Sequence, residues 1–123
     1  MRRWKLALEF CRYAESAFAR EEYLSASMNA LAAIEQAIMA MAEIRGEEIP
    51  SSHRSRMYYL TRLANEGIVS RDLLRMYSTV MEIRNDAEYE GIDGERARRA
   101  IVLMCRFLEV IAGVLGVKIS GCC

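Results

Sequence analysis

At 123 residues, with 17 basic and 17 acidic side chains, the chain is the size of one domain and carries no formal net charge. The balance excludes an extended basic track along a nucleic acid and leaves room only for a small, local phosphate contact. One proline, seven glycines and 53% apolar residues, rich in Ala, Leu, Met and Ile, favour helices over strands.

A first helix is expected over about residues 4 to 19, where Leu6, Ala7, Phe10, Cys11, Ala14 and Phe18 form a broad apolar face opposite Lys5, Glu9, Arg12 and Ser16. Its opening resembles the start of a signal peptide, but Glu9, Arg12 and Glu15 interrupt any hydrophobic region, so the chain is expected to stay in the cytoplasm. The Arg20-Glu21-Glu22 triplet marks a bend. A second helix then runs to about residue 45, stopped by Gly46 and Pro50. It is apolar almost all round: Ser25, Asn29, Gln36 and Glu43 define a narrow polar stripe, and Glu35 projects into the arc of Leu24, Met28, Leu31 and Ala42.

Ser51 or Ser52 caps a third helix over about residues 53 to 65, with Met57, Leu60 and Ala64 inward, His53 in the first turn, and Gly67 at the end. Ser70 caps a fourth helix, closed by Gly91-Ile92-Asp93-Gly94. At about 100° per residue, Leu73, Met76, Tyr77, Val80, Arg84 and Ala87 share one arc of that helix, so Arg84 is a cation set among apolar neighbours. Such a group is either partnered or used, and Glu35 is the expected structural partner.

Asp93 starts a fifth helix that ends near Leu115. Its apolar arc, from Val110 through Phe107, Ile111 and Leu108 to Cys105, spans about 200°, more than one neighbour covers, which points to self-association. Arg106 and Glu109 argue against a membrane span in this stretch. Cys11 and Cys105 sit in helical apolar patterns as small hydrophobes, and Cys122 and Cys123 are read as part of a frayed tail over 117–123. No metal ligands and no cofactor are expected; Glu47-Glu48 and Arg98-Arg99 are read as solvated charges. Short connections give an all-α, up-down antiparallel bundle of four to five helices in a single domain over 1–123, pairing as a homodimer.

Three motifs stand out: Tyr23-x-Ser25-x-Ser27-Met28-Asn29-Ala30 on the second helix, Ser52-His53-Arg54 at the start of the third, and Arg84-x-x-Ala87-Glu88-Tyr89 near the end of the fourth. The first is similar to the aromatic, serine and alanine run, the second resembles the hydroxyl-His-basic helix start, and the third resembles the Arg-x-x-Ala-acidic-Tyr signature of the HEPN superfamily, the small helical "higher eukaryotes and prokaryotes nucleotide-binding" domains, and in particular of its short stand-alone prokaryotic branch. Many relatives carry Arg followed, after four to six positions, by His, and two subunits join these into a metal-independent ribonuclease. Here those positions hold Tyr89, Glu90 and Gly91. A tyrosine with an ordinary pKa near ~10 is a poor base at neutral pH.

The resemblance implies a nucleotide or RNA phosphate bound by Arg84, Asn85 and Tyr89, with Arg84, Tyr89 and His53 as candidate catalytic residues. It also implies a minimal nucleotidyltransferase as partner, as in toxin and antitoxin pairs, and no membrane. The competing reading is a non-catalytic helical dimerisation or interaction module in which Arg84 and Glu35 fix helix register.

Overall fold

A computed structural model describes residues 2–123. Among them are five helices and no strand: α1 (Arg2–Ala19), α2 (Tyr23–Ile44), α3 (His53–Asn65), α4 (Asp72–Tyr89) and α5 (Gly94–Leu115). Glu21 adopts the left-handed conformation at φ 59°. The Glu22 N–H donates back to the Ala17 carbonyl at 2.9 Å, so the chain reverses within the expected charged triplet.

The middle of α2 is apolar on most sides because α1, α3, α4 and α5 cover it, while Leu24, Met28 and Ile44 toward its ends stay exposed. Its stripe of Ala26, Ala30, Ala33, Ala37 and Ala40, alternately four and three residues apart, is fully buried. α1 likewise buries Ala7, Cys11, Ala14 and Ala17. Small residues at this spacing let helix backbones approach closely. The larger side chains Ile34, Ile38, Met41, Tyr77, Phe107 and Leu108 fill the rest of the core.

Ser52 caps α3 in a reciprocal pair with Ser55, accepting the Ser55 N–H at 3.1 Å while its own N–H donates to the Ser55 hydroxyl at 2.9 Å. Ser70 accepts the Asp72 N–H at 3.1 Å, although the residue flanking α4 is Arg71, already in helical conformation. Asp93 accepts the Arg96 N–H at 2.9 Å and starts α5; left-handed Gly116 ends it.

Two sequence expectations change. The wide apolar arc of α5 is covered within the chain by α1, α2 and α4, and of its large apolar side chains only Val102 and Val114 remain exposed, so its width no longer argues for self-association. Residues 117–123 are also not frayed. Val117, Ile119 and Cys122 pack against the core, the chain turns at Gly121 (φ 74°), and the Cys123 N–H donates to the Glu15 carboxylate at 3.1 and 3.2 Å. The tail cysteines bridge to the helices, Cys122 to Cys11 and Cys123 to Cys105. No helix among the described residues is long and apolar enough to cross a membrane.

Candidate functional site

α4 places Arg84 at the margin of the core, its side chain 29% exposed. Nη1 lies 3.4 Å from the Glu88 carboxylate one turn on, Nη2 lies 3.6 Å from the Met81 sulfur, and Nε is buried without a hydrogen-bond partner. A guanidinium has five donors in a rigid fork. Here one long contact to a carboxylate is the only anionic partner among the described residues, so much of its capacity to hold an anion is unspent.

Glu35 does not pair with Arg84. Its Oε2 accepts from the Tyr77 hydroxyl at 2.8 Å and from Arg56 Nη2 at 3.1 Å, and Arg56 Nε donates to the Tyr77 hydroxyl at 2.9 Å. This closed triangle joins α2, α3 and α4. The reason is spacing. Tyr77 stands level with Glu35, and Arg84 lies seven residues further along α4, about 10.5 Å at the helical rise. Burial pushes the Tyr77 phenol well above its ordinary value; Arg56 opposes this and the Glu35 carboxylate adds to it. Tyr77 is therefore a fixed hydrogen-bond donor at neutral pH rather than a base.

The sequence reading missed Arg56. The signal was present: Glu35 and Tyr77 lay on inner arcs, and Arg56 is the cation beside inward-facing Met57. No one-helix periodicity reveals a contact shared by three helices.

His53 sets its ring edge against Tyr77, centroids 5.0 Å apart, at the outer side of the triangle and exposed. The structure thus gathers His53 at the level of Tyr77. Asn85 and Tyr89 are exposed near the end of α4, Tyr89 to 82%. They share an outward stripe one turn apart, whereas Tyr89 is rotated by about 140° from Arg84. Within one chain, Arg84, Tyr89 and His53 do not converge.

Two contacts fix the direction of α4 against α2. Tyr77 meets Glu35 in the middle of α2, while the Tyr23 hydroxyl at its start lies only 2.8 Å from where a Cβ on Gly94 would stand, just past the end of α4. The helices are antiparallel, so Arg84 stands level with the first turns of α2. There Leu24 and Met28 are exposed to 42% and 49%.

On another side of α4, arginines gather, among them the Arg98-Arg99 pair expected from the sequence to be merely solvated. Arg75, Arg99 and Arg106 line a cleft of about 260 Å³ between α4 and α5. It continues into one of about 400 Å³ lined by Arg96, Arg98 and Val102 as well as Arg99 and Arg106. Arg75 pairs with Asp72 and Arg96 with Asp86, while Arg98, Arg99 and Arg106 have no ion pair among the described residues.

A family model described as the HEPN domain matches residues 1–114. Comparison with curated proteins and with solved structures gives no significant match.

Proposed function

Because the chain belongs to the HEPN family, we propose that two copies pair and present Arg84, with Asn85 and Tyr89, to the phosphate of a nucleotide or RNA. The observation that carries this reading is the guanidinium of Arg84, held at the core margin with a buried, unpaired Nε and only a long contact to Glu88. Exposed Leu24 and Met28, level with Arg84 on α2, supply an apolar face for the second copy. Pairing there brings a second Arg84 and a second outward stripe of Asn85 and Tyr89 to one groove. The arginine-lined cleft between α4 and α5 offers a further place for phosphates of a longer RNA.

If the bound RNA is cut, Arg84 of one copy steadies the developing phosphorane charge and the His53 imidazole of the second copy moves the proton of the 2′-hydroxyl, since the two do not converge within one chain. By family analogy, the natural partner is a minimal nucleotidyltransferase. The test is nucleotide binding and RNA digestion by purified protein beside Arg84→Ala and His53→Ala. Loss of at least tenfold in binding for Arg84→Ala, with helicity and assembly state retained, is the expected result; unchanged binding overturns the proposal. Cleavage that disappears in His53→Ala assigns the ribonuclease role.

The triangle of Glu35, Arg56 and Tyr77 favours a second reading, a non-catalytic interaction module whose buried charges fix helix register. In that case neither variant changes any RNA readout.

A further inference from the structure

All four cysteines meet at one place, where α1, α5 and the tail come together. Cys11 is fully buried on α1, Cys105 is half-buried on α5, and Cys122 and Cys123 arrive on the turn at Gly121. Two independent bridges need only one sulfur neighbour for each cysteine. Here Cys123 Sγ lies 3.4 Å from Cys11 Sγ and 3.4 Å from Cys122 Sγ, in addition to its bond to Cys105. The donor atoms of Cys11, Cys105 and Cys123 lie within 4.8 Å of one another, and so do those of Cys11, Glu15 and Cys122. A zinc ion at about 2.3 Å from each of four thiolates sets its sulfurs about 3.8 Å apart; the two 3.4 Å separations are near that, and Cys105 and Cys122, which fall in different groups around Cys11, have to draw together once the bridges open.

We propose that the reduced chain holds one zinc-class divalent cation on the thiolates of Cys11, Cys105, Cys122 and Cys123. Adjacent cysteines chelate one ion only when distant ligands complete the set, and Cys11 and Cys105 are those ligands. This reverses the sequence expectation that no metal is bound. Glu15, one turn after Cys11, holds the Cys123 backbone in place through its carboxylate. Arg12 lies against Gly121, its Nη1 3.7 Å from where a Cβ would stand, and sets a positive charge beside a site whose thiolates carry a net negative one.

The bridged and metal-bound forms exclude each other. A dithiol reductant opens each bridge by taking the disulfide on itself and leaving two thiols; the cation then displaces the four thiol protons to solvent.

Reduced, metal-free protein titrated anaerobically with Zn²⁺ against a chromophoric chelator tests this, with Co²⁺ as spectroscopic probe. One equivalent per chain and a tetrahedral cobalt–thiolate spectrum are expected. Cys123→Ser alters an exposed residue and leaves the helices in place by circular dichroism; it and Cys105→Ser each weaken binding at least tenfold. Substoichiometric uptake, an octahedral cobalt spectrum, or unchanged affinity in either serine variant overturns the proposal.

Discussion

Glu35 links three helices, since its carboxylate on α2 holds both the Arg56 guanidinium of α3 and the Tyr77 hydroxyl of α4. Removing it strands a cation on α3 and a fully buried hydroxyl on α4. Glu35→Ala is therefore expected to cost about 2–4 kcal/mol in a denaturant melt. Arg84→Ala, which breaks a long ion pair to Glu88 and a weak contact to the Met81 sulfur, is expected to cost under about 1 kcal/mol. In a double-mutant cycle the pair should add within about 0.5 kcal/mol, because the two residues share no partner. A coupling above 1 kcal/mol would contradict the structure described here.

Tyr77 makes the same triangle sensitive to alkali. Its folded pKa is raised above the unfolded value, so its contribution is fully present below the ordinary tyrosine range near pH ~10 and is lost as pH rises through the higher folded value. Melting temperature should fall with alkali from there upward, and Tyr77→Phe should flatten that fall while lowering stability near neutrality by about 1 kcal/mol. The misplaced charges of Arg84 and Glu35 were legible in the sequence as positions on an arc. Their partners were not, because an arc gives direction around one axis but not height along the neighbouring helix.

At the scale of the elements, local chemistry settled the outcome almost unaided. The bounds of α3 coincide with the positions expected from Ser52 and Gly67 and the start of α5 with that expected from Asp93, since each fixes its terminus through its own hydrogen bond or backbone conformation; the end expected near Leu115 is set by left-handed Gly116. Asp93→Ala is expected to remove the N-cap of α5 at a cost of about 1 kcal/mol, read as a lower denaturation midpoint with an unchanged slope. The alanine stripe of α2 sets a tighter limit. At fully buried Ala37 a larger side chain has to push helices apart, so Ala37→Leu should destabilise by about 1–3 kcal/mol despite its greater apolar area. What periodicity could not supply was how much of an apolar face other helices cover, and for that reason the breadth of α5 was misread as a sign of self-association.

For the whole molecule, the family match and the five-helix architecture agree with the fold expected from the sequence. The placement of the tail was not legible, because the thiols that hold it lie more than a hundred residues apart in one of the two pairs. The proposed paired state makes a separate prediction. If Leu24 and Met28 form the contact between copies, Met28→Glu should turn a dimer into a monomer in sedimentation while leaving the helical signal intact. An assembly state indifferent to that change would remove α2 as the contact face.

α3 buries only Tyr59, Leu60 and Leu63, and much of its remaining attachment runs through Glu47, which receives the Tyr59 hydroxyl at 2.8 Å and pairs with Arg45 and Arg62. Arg45 and then Tyr59 hold the Glu47 carboxyl below the usual carboxylate range, so this tether is intact above ordinary carboxylate values and loosens as pH falls through the lower folded one. Amide protons of this helix should accordingly show lower protection factors than those of α2 or α5, and lower still once pH falls through the depressed Glu47 value. α3 is thus the helix held least by burial, and any displacement of it would take His53 from the Tyr77 ring and uncover further a Glu35 carboxylate that already meets water at its edge.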